Sequence, residues 1–278
     1  MLSNLILGGL IDTHCHLNFE AYTGNVEKTI DHAKSAGINT FVVPGTDVAT
    51  SKKAIALAGQ YPNVHAAVGI HPHHFYKDRS YEPDIADIAA LLQNPYVVAV
   101  GEVGLDKHAY EASKYGTYVW SDEYMDRQKK YLKKQIGFAV NHRKSLIIHN
   151  REAGNELMKI LDESWDAHLR NRSVIHCCEA DEALLAFATA KQIYLGVDGD
   201  ITWSKKKQRF IETVPLDRLV LETDSPYLTP DPAREKQKFP NEPANLVYIR
   251  DMVASIKHIT PEEVEKQTSE NARALFNI

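Results

Sequence analysis

LIDTHCHLN, residues 10–18, is an apolar run that breaks into an aspartate and then into two histidines separated by one residue. In a strand, residues i and i+2 face the same side, so His14 and His16 present both imidazoles to one point while Cys15 turns away. One strand end built in this way can hold one metal ion. Taken alone, the motif fits a surface loop equally well, and its meaning comes from recurrence. Four further strand-like apolar runs end in a residue of metal-ligand type, at Glu102, His149, His176 and Asp224.

Outward from that run, strand-like segments fall at residues 5–13, 40–44, 64–70, 96–103, 145–149, 173–176, 193–197 and 219–223. Runs such as TFVVPG, HAAVGI, YVVAVGEVG and SLIIH are apolar on both faces, as strands covered on both sides must be. Helical spacing separates them: Val26, Ile30 and Ala33, then Ala54, Leu57 and Ala58, then Ile85, Ile88, Leu91 and Leu92. It continues at Tyr124–Val140, Glu156–Leu169, Glu182–Lys191, a short segment near Lys206–Thr213, and a helical region from Ala244 onward. Eight apolar strands, each followed by a helix, predict an α/β fold, a (β/α)8 TIM barrel forming one domain over residues 1–278. A doubly wound open sheet would carry a glycine-rich phosphate turn after an early strand, and none is present.

On such a barrel every run points the same way, so the six candidate side chains, His14, His16, Glu102, His149, His176 and Asp224, converge on the C-terminal mouth. Imidazole and carboxylate together form the donor set for zinc, manganese or iron, and with waters for magnesium. A carboxylate such as Glu102 can bridge two cations that share a hydroxide and hold the attacking and leaving oxygens of a hydrolysis. The expected cofactor is therefore two divalent metal ions, Mg2+, Zn2+ or Mn2+. Asp224 can ligate a cation and accept the proton of a bound water, and Glu222, on the same strand face, is expected to support the ligands. Two irregular stretches emerge at the same face as candidate walls. Lys107–Glu123 carries Tyr110, Tyr115, Tyr118 and Trp120, and the proline-rich Tyr227–Glu242 carries Arg234, Lys236 and Lys238.

A net charge of −5 over 278 residues gives no broad basic field, so any nucleic-acid substrate must be held locally, as an enzyme holds a strand end. Cys15, Cys177 and Cys178 form no C-x-x-C pattern and suit a reduced, cytoplasmic chain. The start lacks a basic leader and no apolar run approaches the roughly 20 residues that span a bilayer, so no membrane association is expected.

IDTHCHL, GIHPHH, VGEVGLD, LIIHNREA, VIHC, LGVDGDIT, LVLETDSPYL, NEP and SENARALF resemble, in order and spacing, the TatD-type metal-dependent deoxyribonucleases of the amidohydrolase superfamily. The resemblance covers nearly the whole chain. It implies a TIM barrel, a divalent-metal centre and 3′→5′ exonuclease action on DNA, on single strands or 3′ ends, with the same six residues as metal ligands; a monomer is expected. Glu102 stands where phosphotriesterase- and urease-like relatives use a carboxylated lysine, which argues against those activities. His71 and His73 of GIHPHH, and Arg151 after His149, are the implied substrate contacts, the arginine either clamping a phosphate or bracing its loop. The chain departs from the family in three places. Cys177-Cys178-Glu179 replaces the usual Phe-Ser-Gly, Lys107–Glu123 is long, and AREKQKFPNEP replaces a compact basic run before NEP. These changes bear on substrate choice. Other family members make removal of a D-amino acid from a mischarged tRNA the enzymatic alternative; a non-catalytic metal-binding scaffold would lose ligands, and here all six are present.

Overall fold

The structure is a computed structural model that describes residues 8–110, 120–236 and 239–278. Its strands are β1 (Leu10–Asp12), β2 (Ile38–Pro44), β3 (Val64–Val68), β4 (Val97–Asp106), β5 (Ser145–Arg151), β6 (Ser173–Ile175), β7 (Tyr194–Val197) and β8 (Leu219–Leu221). They form one parallel sheet in chain order. The ends of that sheet meet through backbone bonds, with the Thr13 N–H on the Leu221 carbonyl at 3.1 Å, the Asp224 N–H on the His14 carbonyl at 2.9 Å and the His16 N–H on the Ser225 carbonyl at 2.7 Å. The expected (β/α)8 TIM barrel is thus observed, closed by a short bridge between Cys15 and Ser225.

The helices are α1 (Val26–Ser35), α2 (Val48–Gln60), α3 (Glu82–Leu91), α4 (Asp122–Asn141), α5 (Gly154–Glu163), α6 (Glu182–Lys191), α7 (Lys205–Thr213), the four-residue α8 (Ala233–Lys236), α9 (Leu246–Lys257) and α10 (Pro261–Phe276). Two expected helical segments divide. The one at 156–169 ends at Glu163 and resumes as a 3-10 turn, Ala167–Leu169, because the Asp166 carboxylate accepts the His168 N–H and starts a new turn. The C-terminal region divides where His258 takes a left-handed conformation, φ 56°, and Thr260 then caps α10 in a capping box with Glu263, with Pro261 at the first helical position.

Each strand contributes one residue to the barrel interior: Ile11, Val42, Ala67, Ala99, Ile147, Val174, Tyr194 and Val220. Helix α10 adds Ala272, Leu275 and Phe276 to that layer. Its polar atoms meet the N-terminal ends of the strands, Asn271 Nδ2 on the Leu219 carbonyl at 2.7 Å and Ser145 Oγ on the Leu275 carbonyl at 2.5 Å. One end of the barrel is therefore sealed, and chemistry is confined to the other. A larger cluster fills the space between sheet and helices and includes Cys15, which does turn away from the histidines beside it. No helix among the described residues is long and apolar enough to cross a membrane.

Candidate metal centre

The six expected ligands come together at the C-terminal mouth. His14 and His16 lie just beyond β1, where the backbone bridge to β8 holds them, and their Nε2 atoms are 3.2 Å apart. Glu102 sits within β4 at a break in the ladder register between Val100 and Val103. Ala99 is in the barrel interior, and a Cβ on Gly101 would meet Cβ of the interior residue Ile147 at 2.6 Å. Strict alternation would turn Glu102 outward, and the irregularity turns it in. His149 and His176 each stand two residues beyond an interior residue, Ile147 and Val174, so alternation alone aims them at the mouth. Asp224 lies past the end of β8 in a left-handed conformation, φ 49°.

The two oxygens of Glu102 serve two groups of imidazoles. Oε2 is 3.5 Å from His14 Nε2 and 3.6 Å from His16 Nε2, and Asp224 Oδ1 is 3.6 Å from each of the same nitrogens. Oε1 is 2.8 Å from His149 Nδ1 and 2.7 Å from His176 Nε2, with His71 Nε2 at 3.3 Å. Donor atoms around a small cation with bonds of about 2.1 Å in tetrahedral array are about 3.4 Å apart. The first group has that spacing, and the second closes tighter around the carboxylate.

The far side of the rings completes the fit. His16 Nδ1 bonds the Pro44 carbonyl at 3.3 Å and His149 Nε2 bonds Asp106 Oδ2 at 3.2 Å, which turns the other ring nitrogen toward the centre in each case. Burial, then the neighbouring His176, push His14 down to about 4, so it is neutral and able to ligate. Burial opposes ionisation of Glu102, yet His176, His71, His14 and His149 together hold it well below the usual carboxylate range. Burial also opposes charge on His149, but hydrogen bonds to Asp106 and Glu102 raise it to about 10. These residues fit a divalent metal centre.

Glu222 is where a supporting residue should be. Its Oε1 accepts the Cys177 N–H at 2.5 Å and lies 3.7 Å from His176 Nδ1, and burial pushes its carboxyl up to about 8. Gly196 makes room for it, since a Cβ there would come within 2.5 Å of the carboxylate. His71 and His73 both line the mouth, and His71 Nδ1 accepts the His73 N–H at 3.2 Å, so its other nitrogen is the donor toward Glu102. Arg151 lines the mouth as well and gives Nη1 to the Tyr110 hydroxyl at 2.9 Å, so it braces the wall through a phenol and not through an acid. Arg234 differs from expectation: Asp231 binds it at 3.0 Å and Trp203 lies under it at 4.2 Å, so it is not an open basic patch. Tyr115, Tyr118 and Lys238 lie outside the described residues.

Sequence reasoning missed two features. Asp106, four residues after Glu102 in VGEVGLD, orients His149, accepts the Tyr110 hydroxyl at 2.8 Å and has its carboxyl held down at about 2 despite burial. The other is an ion trio, the buried Lys207 with Nζ at 2.7 Å from the buried Asp198 and at 2.7 Å from the part-exposed Asp200. The cavity over the centre has a volume of about 590 Å³ and a lining rich in carboxylates, two of which the Lys207 ammonium pairs. Glu102, Glu179, Asp198, Asp200 and Asp224 line it, and Arg151 is the one cationic side chain besides histidines among its described lining residues.

The profile of the TatD-related DNase family matches residues 11–277. An uncharacterised metal-dependent hydrolase of Bacillus subtilis, YabD, is 34% identical over 97% of this chain and 99% of its own length. A 3′-5′ ssDNA/RNA exonuclease TatD of Erwinia amylovora is 31% identical over 97% of this chain and 100% of its own. Among solved structures, the TatD homologue YJJV of Escherichia coli superposes with a TM-score of 0.84 at 27% identity, covering 97% of this chain and 98% of that one. The chain belongs to the TatD-related DNase family and is a metal-dependent hydrolase.

Proposed function

We propose that this chain is a two-metal phosphodiesterase that removes nucleotides from the 3′ end of single-stranded DNA. The observation that carries the reading is the placement of Glu102, whose two oxygens face two separate groups of imidazole nitrogens. His14, His16, Asp224 and Glu102 Oε2 would hold one cation, and His149, His176 and Glu102 Oε1 the other. When bound, such a pair supplies a nucleophile at neutral pH and neutralises charge on the phosphate. The name of the Erwinia relative supports a nucleic-acid substrate.

The protein's own residues do the rest. Asp224 Oδ1 sits on the cavity side of His14 and His16, placed to accept a proton during hydrolysis. Asp106 fixes the ring of His149, and Tyr110 in turn fixes Asp106. Arg151 and His73 offer hydrogen bonds to the phosphate flank from the cavity wall. A cavity of about 590 Å³ has room for a strand end, which favours single strands over a paired helix as substrate.

The test compares initial rates on matched linear and closed circular single strands, with 3′-labelled and 3′-blocked ends, at saturating Mg2+, Mn2+ or Zn2+. Linear open ends should be cut and circles spared. Equal rates on both defeat the end-directed reading, and faster cleavage of a D-aminoacyl-tRNA ester than of any DNA moves the activity to that ester. Glu102→Gln should lower turnover by several orders of magnitude, since both groups of ligands lose a shared donor.

A further inference from the structure

Two of the large apolar side chains that the molecule leaves exposed are Tyr227, at 37%, which lines the metal cavity, and Phe239, at 57%, which meets the Tyr227 ring. They continue a series that begins at the centre itself. His16 stacks on Phe19 with centroids 4.2 Å apart and planes 10° apart, Phe19 meets Tyr227 at 6.4 Å, and Tyr227 meets Phe239 at 6.2 Å. The outer two pairs are inclined at 73° and 41°, so the rings do not close on one another as a core cluster does.

These rings are held, and do not hang from loose loops. The Tyr227 N–H bonds the Asp224 carbonyl at 3.0 Å, which fixes the ring's segment to a proposed metal ligand. Two residues after Phe239, the fully buried Asn241 gives its amide to the Tyr227 carbonyl at 2.7 Å and the Thr223 carbonyl at 3.1 Å, and Tyr22 bonds the Asn241 carbonyl. A bulky apolar ring kept exposed on an anchored backbone, next to a catalytic cavity, is arranged to meet a flat apolar partner.

We propose that Phe19, Tyr227 and Phe239 form a stacking track that holds successive bases of the single strand whose end enters the metal cavity. The proposal rests on the nuclease reading of that cavity and names how the strand is gripped. Aromatic faces stack on any base and do not read the sugar, so capture is tolerant of sequence. It also suits a rim whose Arg234 is already engaged by Asp231 and Trp203, leaving stacking to do what basic residues do elsewhere.

The experiment places 2-aminopurine at each of the last four positions of a phosphorothioate-linked oligonucleotide and follows its fluorescence on binding to the metal-loaded protein. Stacking should quench the probe at one or more positions, and Phe239→Ala should abolish the quench at one of them while Phe239→Trp restores it. In steady state the same Phe239→Ala variant should raise KM for a tetranucleotide by about 5- to 150-fold, the range one base-aromatic stack provides, with a smaller effect on kcat. The KM advantage of a tetranucleotide over a dinucleotide should shrink accordingly. A quench pattern that Phe239→Ala leaves unchanged at every position, or an unchanged KM, overturns the track. Wild-type protein that quenches without cleaving keeps the track and removes the nuclease reading; cleavage without quench does the reverse.

Discussion

Lys207 offers the most exacting test of how the mouth is built. The residue is 4% exposed, Asp198 is fully buried, and the Lys207 ammonium lies 2.7 Å from Asp198 and 2.7 Å from Asp200. It does this at the first turn of α7, where the helix dipole disfavours a cation, so the two carboxylates are what hold it there. At an effective dielectric of 20 each contact is worth about 6 kcal/mol of attraction, opposed by several kcal/mol of lost hydration per ion. Lys207→Met keeps the unbranched stem and removes the charge, leaving two acids facing each other. The expected loss is about 3–5 kcal/mol, or roughly 6–20 °C in Tm. Burial, then the Asp198 charge, already raise Asp200 to about 7, so this acid costs stability as pH rises from its unfolded value of 3.8 toward 7. Without the ammonium that window extends upward, and the deficit of the variant should be larger at pH 8 than at pH 5. Urea denaturation at both pH values measures this. A loss below about 1 kcal/mol, or one independent of pH, refutes the reasoning.

Asp106→Asn should weaken metal affinity or activity by about 10- to 100-fold, read by calorimetric metal titration, because His149 loses the acceptor that fixes its ring; unchanged affinity would remove Asp106 from that role. Burial, then His71, lower His74 to about 4 from an unfolded value of 6.5, so its stabilising contribution is complete above pH 6.5 and is lost as pH falls toward 4. His74→Gln should therefore relieve up to about 2 kcal/mol of the destabilisation seen at pH 5, and a variant as acid-sensitive as the parent in urea melts would contradict the assignment. Chelation should abolish hydrolysis yet leave a cooperative thermal transition, since the interior layer and the helix-facing cluster form without the centre; a non-cooperative melt would make the centre structural.

The barrel was legible because hydrophobic period is a local property: eight short runs apolar on both faces, with helical spacing between them, leave little choice of architecture. His149 and His176 were legible for the same reason, each two residues past an interior residue of its strand. Where the backbone leaves regular geometry, pattern fails. β1 and β8 end at Asp12 and Leu221, short of the expected 13 and 223, because Thr13 and Thr223 exchange ladder pairing for single bonds across the closing seam; residues 5–7 of the expected β1 lie outside the described residues. Asp106 was passed over because β4 was expected to end at 103, while its ladder with β5 runs on to the pairing of Asp106 with Arg151. The Lys207 trio joins a turn after β7 to a helix nine residues on, and nothing in the composition of KKKQ distinguishes its buried lysine from the exposed ones beside it.

Charge decides how substrate and metal depend on each other. Five carboxylates and one arginine line the cavity among the described residues; Lys207 offsets Asp198 and Asp200, and the carboxylates that face the centre, Glu102 and Asp224, oppose a phosphodiester unless cations offset them. The histidines offset this only in part, because His14 is driven neutral by burial and the charge on His149 is held against Asp106 and Glu102. Bound divalent ions reverse the sign of the field at the point where the phosphate must sit. Affinity for the strand end is then coupled to metal occupancy, and because the coupling is a free energy it is reciprocal, so a bound strand must tighten the metal by the same factor. The proposed stacking rings carry no charge, so their grip on bases does not require the centre to be filled, although Phe19 and Tyr227 line the same cavity. Separating the two contributions requires only that binding be measured with and without metal: the part that disappears belongs to the cavity, and the part that remains belongs to Phe19, Tyr227 and Phe239.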